Sequence, residues 1–278
     1  MPGAVSPPRV TAEETARSLC RQLGVSDAGL LHLRDGREHH LFELQTPEGL
    51  RLLKFAREDC LPDPYDRARK PEDRLRAEKR AISLAKNVEV PADYEIHETT
   101  PLCSTMAVLP GTTAEIALES GRLDEEGLQA VCLELGKTLA ALHSRRRPAD
   151  VQEAAAIPDL PGSDPLNARL LHLDFHLGNV LVRPALGGRY QVMGVVDWTC
   201  ARWGPPEADL VEMYVSVFVL NPRAGDAFVA GYRRASGRAV DMKAVEASAA
   251  AEIKRRLVED PPGDDVLAAR WKDWVAKR

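Results

Sequence analysis

The spacing of apolar positions changes several times along the chain, and each change marks an element. Thr11 stands as an N-cap before Glu13 and Glu14 and opens a helical pattern that stops at Gly24. Residues 30–34, 39–46 and 50–56 then form three short β-rich runs, parted by Asp35-Gly36 and by Thr46 to Gly49. This predicts a three-stranded antiparallel meander. Pro71, Glu72 and Asp73 open a helix over 71–87, and strands are predicted over 94–98 and 102–109 before Pro110-Gly111 breaks the pattern. Leu128, Val131, Cys132, Leu135, Leu139 and Leu142 recur at helical spacing, so 125–143 is a long amphipathic helix. Residues 145–170, with the run Arg145-Arg146-Arg147, prolines and small residues, read as a connecting region with a short helix. A hairpin follows, 180–183 and 190–196 around Gly187-Gly188. From residue 223 the pattern gives three helices, broken near Gly237 and at 260–263.

Composition narrows the classes. The chain has 278 residues, 44% of them hydrophobic, enough to build the cores of two modest domains. Lys and Arg total 37 against 42 Asp and Glu, so the net charge of -5 offers no basic field of the kind nucleic-acid binders carry. Its five cysteines, Cys20, Cys60, Cys103, Cys132 and Cys200, are scattered without a C-x-x-C pair, which suits a reducing cytoplasm rather than a disulfide framework. No signal-like or membrane-spanning apolar run is expected.

The chemistry concentrates in residues 171–198. Asp174 is followed five residues later by Asn179, at the entry to the predicted hairpin, and Asp197 stands at its exit. Antiparallel strands of similar length return their outer ends to one place, so three oxygen-bearing side chains should converge there. Phosphoryl transfer needs such a set: a carboxylate for the proton of the attacking hydroxyl, and hard oxygen ligands for Mg²⁺. A rival reading takes His172, Asp174 and His176, which alternate, as ligands of a hydrolytic metal. Upstream, alternation places Lys54 beside Leu52 and Ala56, half in an apolar setting where an ammonium needs a partner. Glu78 on the following helix is the candidate, with Glu72 as the alternative.

The order His172, Asp174, Asn179, Asp197-Trp198 resembles the H-x-D-x-x-x-x-N loop and metal aspartate of the aminoglycoside phosphotransferase and choline kinase branch of the protein-kinase-like fold. That resemblance implies an α+β, two-lobed architecture: an N-terminal antiparallel sheet with a helix over 1–109, binding nucleotide, and a mainly helical C-terminal lobe over 110–278 for catalysis and the acceptor. It implies Asp174 as the base, Asn179 and Asp197 as Mg²⁺ ligands, and Lys54 with Glu78 on the phosphates of ATP, or GTP. Gly36 would lie over the phosphates, and Ala107, Val108 and Leu109 would meet the adenine edge. His172 and Asp209 would support the loop, although Gly204-Pro205-Pro206 replaces the usual Gly-Asp-Pro ahead of Asp209-Leu210. The partner is then a small molecule bearing a hydroxyl, an antibiotic or a metabolic alcohol such as choline, homoserine or a sugar, in a monomer or homodimer. Only about a dozen residues separate Asp197 from Asp209, too few for the peptide-docking segment of a protein kinase.

Overall fold

The computed structural model describes residues 11–35, 38–60, 62–63, 65–150, 155–186, 189–238, 240–259 and 265–277. They divide into two compact units, one within Met1–Lys79 and Pro91–Val108, the other within Arg80–Val90 and Leu109–Arg278.

In the first unit, α1 (Ala12–Leu23) begins with a reciprocal cap: Glu14 N donates to Thr11 Oγ1 at 3.2 Å and Thr11 N donates to the Glu14 carboxylate at 2.8 Å. It ends where Gly24 takes the left-handed conformation, φ 70°. Five antiparallel strands follow, β1 (Leu31–Asp35), β2 (His39–Thr46), β3 (Gly49–Ala56), β4 (Glu95–His97) and β5 (Cys103–Ala107), in the order β1-β2-β3-β5-β4. Period-two alternation decides what each face of β3 meets. Leu53 and Phe55 pack with Ala16 and Leu19 of α1 and with Phe42 and Cys103. Lys54 points the other way, toward Glu78 of α2 (Pro71–Leu84). The long connection ahead of α2 is tied down by charge: Arg69 pairs with Asp63 at 3.1 Å and the buried Arg74 with Glu38 at 2.6 Å.

The second unit is mainly helical. Thr112–Thr113 (β6) and Ala114–Glu119 (α3) come first, then α4 (Glu125–His143), capped by Asp124, whose Oδ1 accepts from Gly127 N at 2.8 Å. The arginine-rich connection ends in a strand, β7 (Arg169–Leu171), which the sequence reading missed; it pairs with β10 (Arg202–Gly204). Between them lies the hairpin of β8 (Val180–Pro184) and β9 (Tyr190–Val195), in a sheet of order β6-β8-β9. Glu207–Met213 (α5) runs into a π-turn at Tyr214–Phe218, followed by α6 (Pro222–Ser236), α7 (Met242–Glu259) and α8 (Asp265–Ala276).

Helices α4 and α6 meet at glycines. A Cβ on Gly136 would stand 2.1 Å from Phe228 O, and one on Gly231 would stand 2.1 Å from Leu133 O. Only glycine lets the two backbones lie so close. The C-terminal helices are held by Val215, Ala249, Ile253 and Trp271, and the Trp271 indole donates to Val215 O at 3.2 Å. Trp198 and Trp203 are fully buried. Among the described residues, no helix is long and apolar enough to cross a membrane.

Candidate active site

The loop after β7 carries most of the candidate chemistry. His176 begins a 3-10 turn, Leu177–Asn179, by accepting from Gly178 N through Nδ1 at 3.1 Å. That turn delivers Asn179 to the foot of β8. Val180 sits opposite Val195, and Val196 N donates to Asn179 O at 2.9 Å, so the return strand brings Asp197 out beside Asn179. Asn179 Nδ2 donates to Asp174 twice, to its backbone O at 2.9 Å and to its carboxylate Oδ2 at 2.7 Å. Because Asn179 gives its nitrogen to Asp174, its oxygen is the atom it can present to a cation. Thr199 Oγ1 donates to Asp197 Oδ1 at 2.9 Å. Hard amide and carboxylate oxygens of this kind suit Mg²⁺.

His176 Nδ1 accepts a hydrogen bond from Gly178 N, so the neutral ring carries its proton on Nε2, 3.5 Å from Asp174 Oδ1. Burial works against the Asp174 charge, but His176 outweighs it and holds the carboxyl below the ordinary carboxylate range. Conversely, burial pulls the His176 pKa down while Asp174 pulls it up, and the carboxylate prevails.

Beneath the loop, Asp209 is completely buried on the first turn of α5. Its carboxylate accepts from His172 N at 2.8 Å, from Leu173 N, and lies 3.0 Å from His143 Nε2. His143 Nδ1 in turn meets Tyr232 Oη at 2.8 Å. This network spans α4, α5, α6 and the loop after β7, and it holds Leu173 at φ 61°. Asp197 is also left-handed, at φ 62°. Non-glycine residues there store strain that the surroundings must enforce.

His172 does not serve as a metal ligand in this arrangement. Its Nε2 donates to Val196 O at 3.1 Å, its Nδ1 accepts from Asp174 N at 3.3 Å, and Trp198 and Phe175 stack edgewise on the ring. With both nitrogens committed, the alternating set His172, Asp174, His176 does not form a chelate; among the described residues no three His, Cys, Asp or Glu gather as a metal-holding group. Burial depresses the His172 pKa and keeps the ring neutral.

The first unit holds the other candidate group. Lys54 Nζ donates to both Glu78 oxygens, at 3.1 and 3.0 Å, with both residues nearly inaccessible to solvent. Tyr94 Oη donates to Glu78 Oε2 at 2.8 Å. Sequence reasoning took Tyr94 only as the start of a strand; its hydroxyl becomes a second donor to the buried Glu78 carboxylate. Glu72 is not the partner of Lys54. Gly36 lies outside the described residues. At the end of β5, Ala107 N donates to Ala92 O at 2.9 Å and Val108 N to Leu50 O at 3.5 Å. These two amides are thus already engaged within the first unit. Tyr232 was also missed: a tyrosine in a helix gives no local sign of a histidine partner 89 residues away.

Comparison with known proteins bears on the fold and on the segment that carries these residues. Residues 146–247, which contain Asp174, Asn179, Asp197 and Asp209, match the family model described as the phosphotransferase enzyme family, APH. No curated protein matches the chain at the sequence level. Among solved structures, the macrolide 2'-phosphotransferase MphH from Brachybacterium faecium is 18% identical, with a TM-score of 0.58 over 95% of this chain and 99% of that one. The GDP complex of aminoglycoside 2'-phosphotransferase-IIIa is 12% identical, with a TM-score of 0.63 over 96% and 98%. A streptomycin-ATP complex of APH(2")-IIa is 14% identical, with a TM-score of 0.57 over 98% of each chain. These likenesses establish the fold, α+β with a five-stranded antiparallel sheet and a mainly helical second part, and residues 146–247 are similar to the APH phosphotransferase enzyme family.

Proposed function

We propose that the protein moves the γ-phosphoryl group of ATP to a hydroxyl of a small molecule, and that the acceptor is an antibiotic. The observation that carries this reading is the pair of hydrogen bonds from Asn179 to Asp174, with Asp197 emerging beside Asn179. It supports the reading because a carboxylate lies beside two further side-chain oxygens, the kind of set that hydroxyl phosphorylation uses.

Each residue then has a task. Asp174 takes the proton of the acceptor hydroxyl on its carboxylate; with its affinity for protons held low by His176, it is ionised at neutral pH and orients the hydroxyl as much as it deprotonates it. Asn179 and Asp197 hold Mg²⁺, which neutralises phosphate charge when bound. Lys54 steadies the nucleotide phosphates, and Glu78, itself held by Tyr94, fixes where the ammonium points. His172 and Asp209 keep the loop in its strained form. Positioning and electrostatics supply most of the rate.

A nucleotide cosubstrate is supported by relatives seen with GDP, ADP and ATP, which leaves GTP as the alternative donor. The antibiotic reading is supported by structural neighbours that are macrolide and aminoglycoside phosphotransferases, one of them solved with hygromycin B. Aminoglycosides are polycations and favour an acidic partner, which the net charge of -5 suits only mildly. The test is ADP release with Mg²⁺ against a panel of macrolides, aminoglycosides, choline, homoserine and sugars. Stimulation by an antibiotic supports the full reading. Stimulation by a metabolic alcohol alone keeps the phosphotransferase and replaces its acceptor.

A further inference from the structure

The run Arg145-Arg146-Arg147 has no part in the chemistry above, yet the fold handles its members differently. Arg147 is neutralised by Asp159 in a two-pronged pair at 2.7 and 3.1 Å. Among the described residues, Arg146 has no such partner. It sits directly across a β-bridge from Arg169, flanked by the backbone bonds Leu170 N to Arg145 O at 3.0 Å and Arg147 N to Ala168 O at 3.2 Å. Residues so opposed put their side chains on one face with Cβ atoms about 5 Å apart, and like charges there repel.

Arg169 makes the arrangement costlier still, because it is only 4% exposed. Its guanidinium donates to the carbonyls of Asn167 and Ala168 at 3.3 and 3.1 Å, and among the described residues no carboxylate pairs with it. Arg238, just past the Gly237 cap of α6, adds a third positive charge. Burial first, then Arg238 and Arg146, push the Arg169 pKa below the ordinary arginine range. Neither Arg146 nor Arg238 has an acidic partner among the described residues. A buried guanidinium directly across a β-bridge from the uncompensated Arg146, with the Arg238 charge also acting on it, is what an anion would stabilise.

We propose that Arg146, Arg169 and Arg238 form a binding site for a phosphate oxyanion, either free phosphate or the phosphate group of a larger small molecule. Arginine suits such a ligand because its planar fork matches two phosphate oxygens at once. The site lies at the start of β7, and the same strand leads three residues later into His172 of the proposed catalytic loop. It does not depend on the phosphotransferase reading.

The test is saturable binding of inorganic phosphate, and separately of glycerol phosphate, to the full chain without nucleotide or Mg²⁺, at constant ionic strength set with chloride. It is followed by phosphorus NMR line width. Three proteins are compared: the wild type, Lys54→Ala, and the double variant Arg146→Gln/Arg238→Gln. Both substituted arginines are exposed, so this variant retains the fold; each single variant is measured as well. The proposal predicts binding to wild type and to Lys54→Ala alike, weakened at least tenfold in the double variant and partly in each single one. Whichever ligand binds tighter identifies the source of the phosphate. Absence of saturable binding to the wild type, equal affinity in the double variant, or loss of binding on Lys54→Ala alone overturns it.

Discussion

On the proposed mechanism, Asp174 has two jobs to lose if it becomes an asparagine: accepting the hydroxyl proton and holding the acceptor in line. Asp174→Asn should therefore lower kcat by about 10³-fold or more while leaving nucleotide affinity nearly unchanged, which single-turnover kinetics beside equilibrium ATP binding will check. Glu78→Gln leaves Lys54 buried without a counter-charge and should instead raise the KM for nucleotide, with Tyr94→Phe doing the same more weakly. Buried neutral His172 gives a pH signature of stability. Its folded pKa lies below the ordinary 6.5, so the unfolded chain binds the proton first as pH falls. The stabilisation is complete above 6.5 and is lost as pH drops from there toward the folded value. Urea midpoints at pH 7.5 and 5.5 should show a larger loss for wild type than for His172→Asn. At this scale the sequence was informative wherever chemistry dictates residue type and spacing, as for Asp174 with Asn179 and for Lys54 with Glu78. It was silent on Tyr94 and Tyr232, whose hydroxyls matter only through partners distant in the chain, and on the left-handed backbone of Leu173 and Asp197.

Elements were legible in proportion to their length. The eight-residue strands β2 and β3 and the nineteen-residue helix α4 show their period, so their pattern alone identifies them. By contrast β6, β7 and β10, of two or three residues, are too short to have a period and exist because partners pair with them. The contact between α4 and α6 was equally hidden, since an isolated glycine in a helix only looks unfavourable until its neighbour is known. Gly136→Ala and Gly231→Ala should each cost about 1–3 kcal/mol or more, because backbone oxygens cannot move aside as a side chain can. Thr11→Ala, which removes a solvent-exposed cap, should cost about 1 kcal/mol. Urea unfolding of the three variants orders them.

For the whole molecule, charge balance, the absence of paired cysteines and the change from strands to helices near residue 110 bounded the class from sequence alone. Assignment of residues 80–90 to the second unit was not legible, since a segment inside a helix-to-strand stretch gives no sign of which core receives it. The acceptor is not legible for a related reason: local pattern fixes that α6, α7 and α8 exist, not the shape they make. The central claim is transfer of a phosphoryl group to a hydroxyl, and phosphorus NMR of ATP, Mg²⁺ and the acceptor panel tests it most directly. A new phosphomonoester resonance growing in step with ADP, and absent with Asp174→Asn, is the expected result. ATP left intact with every acceptor, together with no Mg²⁺-dependent nucleotide binding, would contradict the account.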